Sequence, residues 1–355
     1  MQKYKKRDSK VYLFSILLQT IIYNIKRQLM KRLKPDVFVI LIIFSVILAN
    51  FFPQLAFLKY FPINRVISIG ITLIFFFYGL KLSISDIKND LKNVKLHLLI
   101  QFSTFLLFPL LVLIVKPFIT SENGHIIWLS FMFLAALPST VSSSVVMVSM
   151  AKGNVPAAIF NATISGLIGI VVTPFWIGWF VKQNTGSFEW GSIYLKLMTE
   201  ILLPVLLGLI IQHFFSYAHI FTKIYSKAFN WFDKIIILLI VYNSFAGSFK
   251  AKLFQAVTIS DLFLIFFAVI ILFIIVYLIT GYVSKKLNLE TKDAITVQFC
   301  GTKKSLLHGT VFSKVIFGSG SISMGIILLP IMVFHAFQIL VISLIATKKG
   351  KRENV

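Results

Sequence analysis

Residues 296–314 read TVQFCGTKKSLLHGTVFSK. The run sits between apolar flanks and sets Lys303 and Lys304 side by side, with Gly301, Ser305 and Gly309 around them. The nearest loop lysines, Lys292 and Lys314, each stand eleven residues from Lys303. At ~1.5 Å of rise per helical residue this is roughly 16 Å either way, half of a hydrocarbon core of about 30 Å. One crossing of a membrane over this stretch therefore carries two ammonium groups at its midplane. Charge there is costly and marks a pathway or binding site. The alternative is a surface loop over 300–305, whose flanks of some eleven residues would each be too short to cross alone.

Composition agrees with a membrane setting. The 355 residues are 58% hydrophobic, above the 45–50% usual in soluble domains. A net charge of +23 could suggest nucleic acid, but the lysines gather at the edges of apolar runs, as in loops facing a cytoplasm and anionic lipid. No nucleic-acid partner is expected. One cysteine, Cys300, excludes a disulfide framework or a cysteine-rich metal site. Residues 1–34 form a basic N-terminal segment with one apolar run, Val11 to Ile25, read as an interfacial helix. Met30 offers a second plausible start, which leaves open whether residues 1–29 belong to the native protein.

From Pro35 onward, length and hydrophobicity mark ten spans near 37–58, 65–82, 94–115, 126–151, 156–181, 192–215, 233–249, 261–284, 293–316 and 322–346. With the N-terminus inside, cytoplasmic segments hold 25 of the 35 Lys/Arg and outer loops hold 8, which places both termini in the cytoplasm. The expected location is the plasma membrane. The five tryptophans, Trp128, Trp176, Trp179, Trp190 and Trp231, lie near span ends and read as an aromatic belt.

The fourth span behaves like the ninth. Its centre reads LPSTVSSS, residues 137–144, where Pro138 removes a backbone donor and Ser139, Thr140, Ser142, Ser143 and Ser144 follow. Backbone broken at membrane depth is tolerated only where it lines a cavity or packs on protein. The alternative is a kinked helix whose hydroxyls bond back to their own carbonyls. The halves also repeat: Gly79 precedes Gly247 by 168 residues, Thr140 precedes Lys303 by 163, and Gly153 precedes Gly320 by 167. Five spans per half place the halves in opposite orientation, 35–181 and 182–347, with a basic tail at 348–355. Paired breaks in an inverted repeat point to a transporter's substrate site.

At these residues the chain resembles the bile acid:sodium symporter superfamily, and more closely its symporter-like (SBF-like) branch, over roughly 35–347. The matching pieces are LPSTVSSSVVM (137–147), KGNVPAA (152–158), VTP (172–174), CGTKKSL (300–306) and Gln101-Phe102. The resemblance implies an all-α integral membrane protein of ten helices, with broken helices 4 and 9 crossing in a core domain. A panel domain of helices 1, 2, 6 and 7 and alternating access are also implied. Of the family's sodium ligands, Gln101 is retained and Ser143 or Ser144 can stand for a serine. Asn161 and Thr163 could serve from the fifth span. The ninth-span glutamate and glutamine positions hold Phe299 and Lys303, which counts against Na⁺ as a bound ion; no other cofactor is expected.

None of the 12 Asp/Glu falls at mid-span. A hard cation wants oxygen ligands with some negative charge, and here a lysine ammonium can take its place. The expected site is Gln101, Ser139, Thr140, Ser142, Ser143, Ser144, Asn161, Thr163, Gln298, Thr302, Lys303, Lys304 and Ser305. His308 stands one turn beyond as a candidate proton path. The expected function is secondary transport of an anionic small molecule. The alternative is a regulator of calcium or other ion homeostasis that keeps a transporter's fold. An enzyme is not expected, because acid/base or metal clusters are missing from the sequence pattern.

Overall fold

The computed structural model describes residues 37–57, 62–81, 93–140, 142–185, 190–215, 221–222, 224–252, 257–318 and 323–352. The basic segment 1–34, with its interfacial-helix reading and Met30, lies outside them. The chain divides into two compact units, Met1–Leu41 and Ile42–Val355. The described part of the first is helical, and the second carries both interrupted spans.

The described residues form helices throughout. In chain order these are α1 (Val37–Phe51), α2 (Ile63–Lys81), α3 (Val94–Phe118), α4 (Glu122–Ala136), α5 (Ser142–Met150) and α6 (Val155–Thr185). Then come α7 (Trp190–Phe214), α8 (Ser226–Lys250), α9 (Ile259–Lys286), α10 (Thr291–Gly301), α11 (Leu306–Phe317) and α12 (Met324–Arg352). Seven of the described helices are long and apolar enough to cross a membrane: α2, α3, α6, α7, α8, α9 and α12 as far as Gly350. With their abundant exposed apolar side chains, such as Phe263, Phe267 and Leu278 on α9, they make this a multi-pass membrane protein.

The stretches expected to be the fourth and ninth spans are each two short helices joined by a break. Helix α4 stops at Ala136 before Pro138, and α5 starts at Ser142. Helix α10 stops at Gly301, and α11 starts at Leu306 behind an N-cap from Ser305. The chain does not loop to a surface at 300–305: residues 301–305 are all buried.

Other boundaries shift for local reasons. The first span ends as α-helix at Phe51, since Pro53 restricts its predecessor and withholds an N–H, and a 3₁₀ turn follows. Helix α12 runs to Arg352, so the basic tail from 348 begins inside a helix. The tryptophan belt is also only partial. Trp128 is buried, with its indole N–H on the Val112 carbonyl at 2.9 Å, and Trp176 donates to the Phe105 carbonyl at 3.0 Å.

Helices α2 and α7 pack at backbone distance. A Cβ added at Gly79 would lie 2.1 Å from the Val205 carbonyl oxygen, and one at Gly208 would lie 2.2 Å from that of Phe76. Small residues let helices approach closely where lipid removes the hydrophobic drive for association. Gly208→Val should therefore force the pair apart at a cost of about 1–3 kcal/mol. The expected readout is a lower melting temperature of the purified protein; an unchanged one would contradict this packing.

Candidate functional site

Breaking a helix at membrane depth strands the carbonyls of its last turn, and each needs a donor. In α4 the Leu134 carbonyl takes the Leu137 N–H at 3.3 Å. Ala136 takes the Thr173 hydroxyl at 2.7 Å, while Ala135 and Leu137 both take the Lys304 ammonium, at 2.6 and 2.8 Å. The Pro138 carbonyl takes the backbone N–H of Ser305 at 2.9 Å. In α10 the Gln298 carbonyl takes the Thr302 hydroxyl, Cys300 takes that of Ser139 at 2.7 Å, and Gly301 takes that of Ser103 at 2.8 Å. The capping is reciprocal: Lys304 from one break closes the end of α4, and Ser139 from the other closes the end of α10.

Lys304 has a third partner, the Thr104 carbonyl at 2.7 Å, and the sequence explains why that oxygen is free. Residues Ser103–Leu107 form a π-turn in α3, in which the Phe108 N–H reaches back to Ser103. The next N–H along would serve Thr104, but residue 109 is proline and has none. The Phe105 carbonyl loses its helical donor to the same proline and takes Trp176 instead. An ammonium has three protons, and all three are used on carbonyls. Two of those carbonyls end a helix whose dipole presents negative charge there. The Phe108 ring, 4.3 Å from the nitrogen to its centroid, adds a cation–π contact. The charge of Lys304 is thus met without a carboxylate.

Lys303 differs. It is buried as fully as its neighbour, yet among the described residues its ammonium has one hydrogen bond, to the Ser143 carbonyl at 2.6 Å. Around it the Thr140 hydroxyl pairs with those of Ser143 at 2.7 Å and Ser144 at 2.8 Å. Ser139 N–H donates to the Ser165 hydroxyl at 2.9 Å.

The structure therefore brings Ser139, Thr140, Ser143, Ser144, Thr302, Lys303, Lys304 and Ser305 to one place. Ser142 opens α5 close by, with its side chain outside the described set. Gln101 and Asn161 flank the crossing on α3 and α6 and bind each other, the Gln101 amide donating to Asn161 Oδ1 at 3.1 Å and to its carbonyl at 3.2 Å. Asn161 in turn bonds His97 Nδ1 at 2.7 Å, and Gln101 Oε1 is sealed from solvent without a partner among the described residues. Thr163 is buried on α6, and its carbonyl takes the hydroxyl of Tyr78 on α2 at 3.3 Å rather than a group of this cluster.

Gln298 points elsewhere, its amide to the Tyr277 carbonyl and its Oε1 to Lys349 at 2.8 Å. His308 is packed between the rings of Phe75 and Phe312, with Nδ1 at 2.9 Å from the Ser305 hydroxyl. No group of three or more His, Cys, Asp or Glu among the described residues could hold a metal ion.

Several site residues went unread in the sequence. Gln338 on α12 clasps the backbone of Lys304 from both sides, accepting its N–H at 3.0 Å and donating to its carbonyl at 2.9 Å. An amide side chain amid the apolar residues of that span was its signal. For Thr104 the signal was a proline five positions on.

A helical, multi-pass membrane protein with two interrupted helices stitched together at mid-span by lysines and hydroxyls belongs to the transporter class. The chain is a member of the SBF-like CPA transporter family, which it matches over residues 36–350. It is 32% identical to the Escherichia coli protein named "Putative symporter YfeH" over 324 residues, 90% of this chain and 93% of that one. It is 29% identical to Sodium/bile acid cotransporter 7-B of Xenopus laevis over 320 residues, 88% and 91% of the two chains. It is 30% identical to Sodium/bile acid cotransporter 7 of Rattus norvegicus over 285 residues, 79% and 81%.

The Gln338 clamp is directly testable. Gln338→Leu leaves a buried N–H and a buried carbonyl of Lys304 unpaired, at about 1–3 kcal/mol each. The melting temperature should fall by several degrees; a variant as stable as the parent would show that the clamp is idle.

Proposed function

We propose that this protein is a secondary transporter of an organic anion, in which a built-in ammonium stands where related symporters hold a cation. The observation that carries the reading is the seat of Lys304, one nitrogen within 2.8 Å of three backbone carbonyls from α3 and the end of α4. Such a ring of carbonyl oxygens at a helix C-terminus suits a bare cation as well as an ammonium. Lys304 is the fixed charge that holds the crossing together. Lys303, with one hydrogen bond for three protons, is the group that meets the substrate, assisted by the hydroxyls of Ser139 to Ser144 and Ser305. Sodium coupling is not part of this scheme.

In the same reading the chain has ten crossings in two inverted halves, 35–181 and 182–347, with both termini cytoplasmic in a plasma membrane. The 25-to-8 distribution of Lys/Arg and the reciprocal capping of the two breaks support it. The resemblance sets α1, α2, α7 and α8 apart as a panel, and α2 and α7 are tied through Gly79 and Gly208. Side-chain hydrogen bonds join α2 and α8 to the rest: Tyr78 to Thr163, Lys314 to the Asn64 carbonyl at 3.3 Å, and Ser248 to Ser323 at 2.8 Å. Bonds of this kind can exchange as a panel rocks, which would open the buried Lys303 to one side at a time.

Two variants test the division of labour. Organic anions that raise the melting temperature of the parent protein, by binding the folded state alone, should lose that effect in Lys303→Gln. Anion shifts surviving unchanged in that variant would reject Lys303 as the substrate group. Lys304→Ala vacates three carbonyl oxygens and should become dependent on an added monovalent cation for stability. Indifference of Lys304→Ala to Na⁺ and K⁺ alike would reject the stand-in role.

A further inference from the structure

A second basic site lies away from the crossing, where α9, α10 and α12 meet. A cavity of about 360 Å³ is lined there by Gly281, Lys285, Thr291, Gln298 and Lys349, with Leu289, Ala294 and Ile295 as its apolar wall. Among the described residues no carboxylate lines it. Lys285 and Lys349 both line it, and the partner of the Lys349 ammonium is neutral, Gln298 Oε1 at 2.8 Å. The Phe299 ring, with its centroid 5.8 Å from the same nitrogen, is likewise uncharged.

Among the described residues, neighbouring acids do not compensate. The Asp293 carboxylate is buried and taken up by the amides of Asn93 and Asn154, and Glu290 is exposed outside the cavity.

The arrangement is built. Gln298 lies flat against α9 because residue 281 is glycine: a Cβ there would come 2.2 Å from Gln298 Nε2. Held also by the Tyr277 carbonyl at 3.3 Å, the amide turns its oxygen to Lys349 and fixes that lysine at the cavity. The eleven-residue α10 starts at Thr291 on the rim, so its positive dipole end adds to the field of the two lysines. Two ammonium groups, a hydroxyl and a helix start suit a compact oxyanion carrying more than one negative oxygen, and lysine binds phosphate as a point charge.

We propose that this cavity binds a phosphate oxyanion, supplied by the headgroup of an anionic lipid or by free phosphate. The exposed apolar face of α9, with Leu278 and Tyr282 one turn or less from Gly281, offers a lipid's chains a course beside the headgroup. The site does not depend on the transport reading.

The test uses the full-length protein in phosphatidylcholine nanodiscs, in nanodiscs that also contain phosphatidylglycerol, and in phosphatidylcholine with added inorganic phosphate. At least one addition should raise the melting temperature, by mass action on the folded state. The apparent affinity should fall ~10-fold or more in Lys285→Gln and Lys349→Gln. It should survive in Lys286→Gln, the adjacent exposed lysine that does not line the cavity. A shift with phosphatidylglycerol alone assigns a headgroup, and one with phosphate alone assigns a free oxyanion. If Lys349→Gln does not fold, Lys285→Gln reads the site by itself, since its side chain is exposed. No shift in the parent protein, or one kept in the lining-lysine variants, overturns the proposal.

Discussion

Three carbonyl oxygens converge on the ammonium of Lys304, and the interior of the protein is organised to let them. Two come from the end of α4, where Pro138 has stopped the helix. The third comes from a π-turn in α3, where Pro109 cannot supply the N–H that would otherwise claim it. Gln338 holds the backbone of the same lysine from α12. Three segments distant in sequence thus meet on one residue. Unmet, each of these groups would be an unsatisfied backbone dipole in a medium without water.

This constraint also explains why two neighbouring lysines do different work. Lys304 spends every proton on fixed backbone acceptors and is structural in the same sense as a bound cation. Lys303 points the other way, to the Ser143 carbonyl at the start of α5, and keeps donors to spare among hydroxyls. A cation site filled by the chain itself removes the need for a carboxylate at mid-depth. That matches the absence of Asp or Glu from the two breaks among the described residues. The family is one of transporters, and in the function proposed here the donors left at Lys303 are the ones that meet an anion.

Much of this was legible in the chain. Pro138 followed by hydroxyls, and a lysine pair centred in an apolar stretch, mark both interruptions, because proline and charge each have one strong physical consequence in a bilayer. Span length favours a single crossing over a surface loop at 300–305, and the burial of 301–305 excludes that loop. What stayed hidden depends on tertiary direction. Nothing local separates the fates of Lys303 and Lys304; the carbonyls of Thr104 on α3 and of Ala135 and Leu137 at the end of α4 do so. Gln298 looked like a member of the site by sequence distance, yet it faces α9 and Lys349 because Gly281 leaves room there. Trp128 looked interfacial by position but is buried on the Val112 carbonyl.

If the chain's own ammonium fills the cation seat, the folded protein has no use for an added one. The melting temperature of the unmodified protein in matched NaCl, KCl and choline chloride, at constant ionic strength, reads this without any substitution. Superimposable curves are expected, since the three carbonyls are already occupied. A rise of several degrees specific to Na⁺ would reveal a vacant cation site and contradict the ammonium's role.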